Sequence, residues 1–235
     1  MVNPPAEIVT NKYNVIKFIY RFMDESHSGH LRLPGLIAIG GGIGAGKSVV
    51  CRILRAMGYE VYDCDSRARC LMDESEQILA GIEKHICPSA ISTGSDGRKS
   101  ICRPVLAEAV FADRNLLEAL NRLVHGEVRD DIRRWYSASI NAGVKEPLFV
   151  ESAIVVESGI DFMIDAVWEV VAPEKVRIAR VGRRDGLDEV RIRARIEAQK
   201  KNMATAHCPV ATIENDGVSA VMPQVLHLLG AFSCR

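Results

Sequence analysis

The 235-residue sequence predicts an open α/β fold built on a parallel sheet. Three observations lead there. An apolar run, Leu36-Ile37-Ala38-Ile39, passes into a glycine-rich loop and then into a stretch with helical apolar spacing. A second run, beginning at Val61, follows as in a βαβ unit. Further short runs recur at Pro147–Val150, Val167–Ala172 and Val210–Ile213, and such runs suit strands covered on both faces.

Composition sets the outer limits. The chain is 48% hydrophobic and 26% charged, enough for a sizeable core. Thirty Lys+Arg offset thirty Asp+Glu, which excludes a chain-wide basic coat for nucleic acid. No apolar stretch reaches the ~20 residues of a membrane-spanning helix. The seven cysteines are odd in number and show no CxxC spacing, which points to free thiols in a reducing compartment. The expected protein is cytoplasmic, a monomer or weak homo-oligomer, with no nucleic-acid or membrane partner.

Residues 1–34 read as an N-terminal extension ahead of a domain spanning 35–232. Its run from Val15 to Met23 is broken by Lys17 and Arg21 and lacks a signal-peptide pattern, leaving an amphipathic helix or an unstructured leader. The body opens with the strand Leu36–Ile39. Gly41-Gly42-Ile43-Gly44-Ala45-Gly46-Lys47-Ser48 then matches GxxxxGK[ST], the phosphate-loop pattern. Val50, Ile53, Leu54 and Met57 carry the helix, and Gly58 ends it. Glycines let the backbone approach an anion, and N–H groups at the helix start point at its oxygens. Lys47 can reach the β- and γ-phosphates and Ser48 can ligate Mg²⁺. The ligand class is a nucleoside triphosphate.

Val61-Tyr62-Asp63-Cys64-Asp65 places two carboxylates at the ligand-facing end of the next strand. On a continuing strand Asp63 and Asp65 share a side. One can accept the proton of an acceptor hydroxyl while the other orients it or a metal-bound water. Asp65 or Ser66 can also simply cap the helix around Arg67–Met72.

From about 97 to 142 the pattern is helical. One apolar stripe holds Leu106, Val110 and Phe111, and another runs from Leu116 to Val128. This region can wall an acceptor site. His125 beside the stripe fits a structural or a catalytic role. Arg129, Arg133 and Arg134 fit a second phosphate-bearing substrate or, alternating with Asp130 and Asp131, a solvated face. Glu151 ends one short strand pattern and Glu157 ends a second, Ile154-Val155-Val156. Either can support Mg²⁺ in the manner of a Walker B carboxylate or be an ordinary strand-end residue, and local pattern does not choose between them.

Positions 177–201 carry nine basic residues against four acidic ones. Arg183-Arg184-Asp185-Gly186 interrupts two helical patterns there, where a hinge would lie. The stretch reads either as a charged amphipathic helix or as a lid, about 183–201, that brings arginines over a triphosphate. The last strand runs into Glu214-Asn215-Asp216-Gly217, an adenine-side turn or a plain one, and a helix from Val218 to Leu229 closes the chain.

These residues resemble the dephospho-coenzyme A kinase family from Leu36 to about Leu229. The likeness is carried by the glycine loop and by Val61-Tyr62-Asp63-Cys64-Asp65 with Ala68-Arg69. The series Arg180 to Asp185, Gln199 and Ile213-Glu214-Asn215-Asp216-Gly217 completes it. The chain departs from the family at His125-Gly126, where the family has His-Pro. It also lacks the proline before Glu157 and has Asn202 in place of an arginine.

The resemblance implies a three-layer phosphate-loop NTPase/kinase fold: a five-stranded parallel sheet, a helical substrate domain and an arginine-rich lid. It implies transfer of the γ-phosphoryl of ATP, with Mg²⁺, to the ribose 3′-hydroxyl of dephospho-coenzyme A. Lys47, Asp65 and Arg184 would then be catalytic, Asp65 as base. ATP would meet Gly42, Ile43, Gly44, Ala45, Gly46, Lys47, Ser48, Val49, Arg180 and Asn215. Asp65, Arg69, His125 and Glu157 would meet the acceptor, and Ser48 the metal. Two other functions stay open: another small-molecule or nucleoside monophosphate kinase, and a non-catalytic nucleotide switch. A GTPase-type switch would need DxxG and NKxD-type segments, and the body of the chain has neither.

Overall fold

The computed structural model describes residues 34–199 and 206–233. The extension up to residue 33, Lys200 and Lys201 at the end of the expected lid, and Asn202 beyond it lie outside the described residues. The strands are β1 (Leu36–Gly40), β2 (Val61–Asp63), β5 (Leu148–Glu151), β6 (Ala166–Val171) and β7 (Val210–Glu214), with a separate hairpin of β3 (Ile91–Thr93) and β4 (Lys99–Ile101). The helices, in chain order, are α1 (Lys47–Ala56), α2 (Cys64–Glu74), α3 (Glu76–His85), α4 (Arg103–Ala112), α5 (Arg114–Asn141), α6 (Glu174–Asp185), α7 (Glu189–Ala198) and α8 (Val221–Ser233).

The five-stranded sheet has the order β2-β5-β1-β6-β7, and every pairing in it is parallel. Alternation along each strand divides its side chains between two cores. Ile37, Ile39, Phe149, Trp168, Val170 and Ile213 face α1 and α8. Leu36, Ala38, Tyr62, Leu148, Val150 and Val167 face the layer built from α2 to α5. Phe149 sits between Tyr59 and Trp168, at ring-centroid distances of 5.5 and 5.2 Å. The central strand β1 is buried along its whole length, as the sequence predicts for a strand covered on both faces, while the edge strand β7 is largely exposed.

Several local expectations are corrected. Beta structure ends at Asp63, and Asp65 lies inside α2. The cap of α2 is Asp63, which accepts from Ser66 N at 3.0 Å and Ser66 Oγ at 2.8 Å, so neither Asp65 nor Ser66 fills that role. Ile154-Val155-Val156 forms no strand and lies in turns; only Val155 is fully buried there. Phe111 is 83% exposed, because the chain turns at Asp113, the cap of α5, before its ring can join the core. The arginines from 129 to 134 belong to the same 28-residue helix as the apolar stripe. The closing helix starts at Val221, since Asp216 first accepts from the amides of Val218 and Ser219 in a turn. Among the described residues no helix is long and apolar enough to cross a membrane, and the described cysteines are free thiols.

Candidate active site

Strand β1, paired between β5 and β6, delivers the glycine loop to the middle of the sheet's C-terminal edge. Two glycines there admit no side chain. Gly41 has φ +130°, and a Cβ on it would lie 2.3 Å from the Val170 carbonyl oxygen. Gly46 has φ +101°, and a Cβ would lie 2.0 Å from Asn215 Nδ2. Helix α1 starts directly after it, so its first amides open at the loop mouth. The Ser48 side chain belongs to an exposed residue at that mouth. Lys47 Nζ donates to the Gly41 carbonyl at 2.9 Å. Burial pulls the Lys47 ammonium below its ordinary pKa, against the opposing charges of Glu151 and Asp65.

Those carboxylates come from adjacent strand ends. Asp63 pairs in register with Glu151. Burial disfavours the charged form of Asp63, but hydrogen bonds from Ser66 outweigh it and hold the pKa below its usual value. Asp63 is thereby committed to the cap. Asp65 is exposed at the start of α2, with Arg69 one turn further on. The structure separates the two glutamates. Glu151 lies by Lys47 and hydrogen-bonds the Cys51 thiol, whose pKa burial and that carboxylate push up. Glu157 is exposed, in the electrostatic neighbourhood of His125. Burial and the charge of Arg129 lower the His125 pKa, and Glu157 opposes them.

Helices α6 and α7 cover the loop from above. Val181, Ile192 and Ile196 form a small apolar cluster, and Ile43 of the loop packs on it. Arg177 Nε donates to the Ile43 carbonyl at 2.8 Å. Arg180 Nη1 donates to the Ala45 carbonyl at 3.2 Å and its Nη2 to Asn215 Oδ1 at 3.1 Å. Asn215 is buried, and its Nδ2 donates to the Ala45 carbonyl at 2.9 Å. Gln199 Oε1 accepts from the Ile43 amide at 2.7 Å. Arg184, expected over the phosphates, instead pairs with Asp185 at 2.6 Å from an exposed position. Arg177 was not among the expected site residues. Its spacing of three from Arg180 is the signal that places both on one helix face.

Among the described residues no three His, Cys, Asp or Glu side chains converge as a metal cage. Ser48 offers one hydroxyl at the loop mouth, a donor of the kind Mg²⁺ takes together with phosphate oxygens and water.

A glycine cradle with a half-buried lysine, carboxylates at neighbouring strand ends and arginines on a covering helix pair define the class: a small phosphate-loop kinase. The family model for dephospho-CoA kinase matches residues 35–220, and the chain belongs to that family. A dephospho-CoA kinase of Porphyromonas gingivalis is 36% identical over 194 residues, 82% of this chain and 92% of the relative. One from Chlorobaculum tepidum is 38% identical over 189 residues, 79% and 88% of the two chains. Among solved structures, TT1252 from Thermus thermophilus shares 30% identity at a TM-score of 0.64, covering 86% of this chain and 98% of that one. Dephospho-CoA kinase from Campylobacter jejuni, 19% identical, shares the fold at a TM-score of 0.56, covering 84% and 95%.

Proposed function

We propose that this protein transfers the γ-phosphoryl group of ATP to the ribose 3′-hydroxyl of dephospho-coenzyme A, giving coenzyme A and ADP. This is the last step of coenzyme A synthesis. The observation that carries the reading is one half-buried ammonium, Lys47, held on the Gly41 carbonyl at 2.9 Å at the mouth of an amide cradle, with Asp65 and Glu151 as the opposing charges. Family membership names the acceptor.

Each residue then has a task. The loop amides and the start of α1 hold the β- and γ-phosphates. Lys47 offsets charge on the phosphoryl group in flight. Asp65, exposed at the cleft, takes the proton from the acceptor hydroxyl as the oxygen attacks phosphorus and the bond to the ADP oxygen breaks. Arg69, on the same face of α2, meets the acceptor. Arg180 and Asn215 brace the nucleoside side of the loop. Ser48 would hold Mg²⁺, with Glu151 supporting it through water; when bound, the ion neutralises charge on the phosphate oxygens. Arg184, at the corner between α6 and α7, reaches the phosphates by leaving Asp185. The protein works in the cytoplasm as a monomer or weak homo-oligomer.

The test is direct. Purified protein with ATP, Mg²⁺ and dephospho-coenzyme A should form coenzyme A and ADP in equal amounts. Turnover with a nucleoside monophosphate and none with dephospho-coenzyme A would move the assignment to another kinase of this fold. Nucleotide binding with no acceptor-dependent ADP would make the protein a switch.

A further inference from the structure

Helix α2 carries Asp65 to the cleft, yet its apolar grip on the body is thin: Cys64 and Leu71 are its buried residues. At its far end Arg103 pairs with Asp73 at 2.8 Å, an exposed pair of the kind that constrains little. A stronger tie lies on the inner face. Asp131 of α5, its side chain 14% exposed, accepts from Arg67 Nε at 2.9 Å and from Arg67 Nη2 at 3.4 Å. It also accepts from Tyr62 Oη at 2.6 Å and Arg134 Nη2 at 3.3 Å. One carboxylate thus joins α2, the middle of β2 and α5. We propose that Asp131, acting through Arg67, is a positioning residue: it sets the rotation of α2 and so the place of the Asp65 carboxylate against the acceptor hydroxyl. The proposal rests on the reading above that Asp65 is the base, and it adds what aims that base.

Helix geometry makes the tie effective. Successive residues turn by about 100°, so Asp65 and Arg67 project on nearly opposite sides of α2. Asp65 is accordingly exposed and Arg67 half-buried. With the Asp65 carboxylate about 6 Å from the helix axis, a roll of about 10° moves it by about 1 Å. A misplacement of that size can cost about 100-fold in rate.

Little else resists such a roll. Strand β2 is three residues long, lies at the sheet edge, pairs only with β5 and passes into α2 without a loop. Apolar contacts are undirected and let a helix turn on its seam. A planar guanidinium fork on a carboxylate is directed and does not. Burial opposes the charge on Asp131, but the bonds from Arg67 and Tyr62 outweigh it and hold its pKa below the ordinary value. The fork therefore meets an ionised carboxylate at neutral pH.

Variants of the full chain test this. Arg67→Met and Asp131→Asn should each lower kcat about 10- to 100-fold with KM for ATP unchanged. The double variant should be no slower than the slower single, because both remove one tie. In an Asp65→Asn background, Arg67→Met should change kcat by less than about twofold, since the group it aims is gone. Arg67→Lys, which keeps a cation within reach of Asp131, should recover most of the rate. Ser139→Ala is the structural control. Ser139 Oγ donates to Glu60 at 3.0 Å, joining α5 to the chain at the opposite end of β2 from Asp65. Its loss should lower thermal stability and leave kcat at the parental value. Should Asp131→Asn fail to fold, Arg67→Met, at a side chain 38% exposed, keeps the test decisive. The proposal is overturned if Arg67→Met retains parental kcat, if its loss multiplies with that of Asp65→Asn, or if Ser139→Ala loses kcat equally. A parent that makes no coenzyme A, or whose kcat survives Asp65→Asn, overturns the underlying reading, and the proposal with it.

Discussion

The phosphate loop is held by two regions of very different character. Below it, Ile37, Ile39, Val50, Leu54 and Phe149 are wholly buried between the sheet and α1 and α8. Above it, α6 and α7 bury only Val181, Ile192 and Ile196 around Ile43, and their remaining grip is polar. Arg177, Arg180 and Gln199 each bond to loop backbone. Apolar burial is large and undirected, so it fixes where the loop stands. Hydrogen bonds are modest in net worth and exchange readily for bonds to phosphate oxygens. The floor thus sets the chemistry, and the cover sets how nucleotide is gripped and released.

Variants can break that contrast or sharpen it. The largest effect is expected on the floor. Lys47→Ala should cut turnover by about 10²- to 10³-fold, since charge on the moving phosphoryl loses its counter-charge. A near-parental rate in a steady-state assay would remove Lys47 from the chemistry. Asp65→Asn should lower kcat by about 10²-fold with KM for ATP spared, or by less if the transition state is loose. An equal loss in Asp63→Asn and none in Asp65→Asn would reverse their roles.

The cover should respond differently. Arg180→Ala or Gln199→Ala should raise KM for ATP several-fold, on the order of one or two hydrogen bonds, with a smaller change in kcat. A collapse of thermal stability in either variant would show that the cover supports the fold, and would erase the distinction. The smallest effect concerns the cap. Asp63→Ala should cost about 1 kcal/mol in denaturant unfolding at neutral pH. Because the folded pKa of Asp63 is below its ordinary 3.8, this contribution is complete above that value and fades as pH falls through the lowered one. The gap between parent and variant should close in acid; a gap that widened there would contradict the cap.

The sequence by itself determined the glycine cradle, the central strands and the stop at Gly58, because each is written in neighbouring residues. Short apolar runs, glycine spacing and helical periodicity act over a few positions and need no distant partner. It left the α3 helix and the β3–β4 hairpin unread. The hairpin is short and mostly exposed, so it carries a weak pattern, whereas α3 is as long as α1 and buries Ile78, Leu79 and Ile82 at helical spacing, a signal that was there to read. Only the tertiary structure decided between acids and between arginines. Asp63 became a cap and Asp65 stayed at the cleft once the strand ended in register with Glu151. Glu151 and not Glu157 came to Lys47, because β5 lies beside β1 and the later segment turns away toward α5. Arg177 and Arg180 reach the loop while Arg184 does not, since the rotation of α6 on its small apolar seam points them there. Local sequence sets the type of an element, but which side chains converge depends on chain segments far apart in the sequence packing against one another.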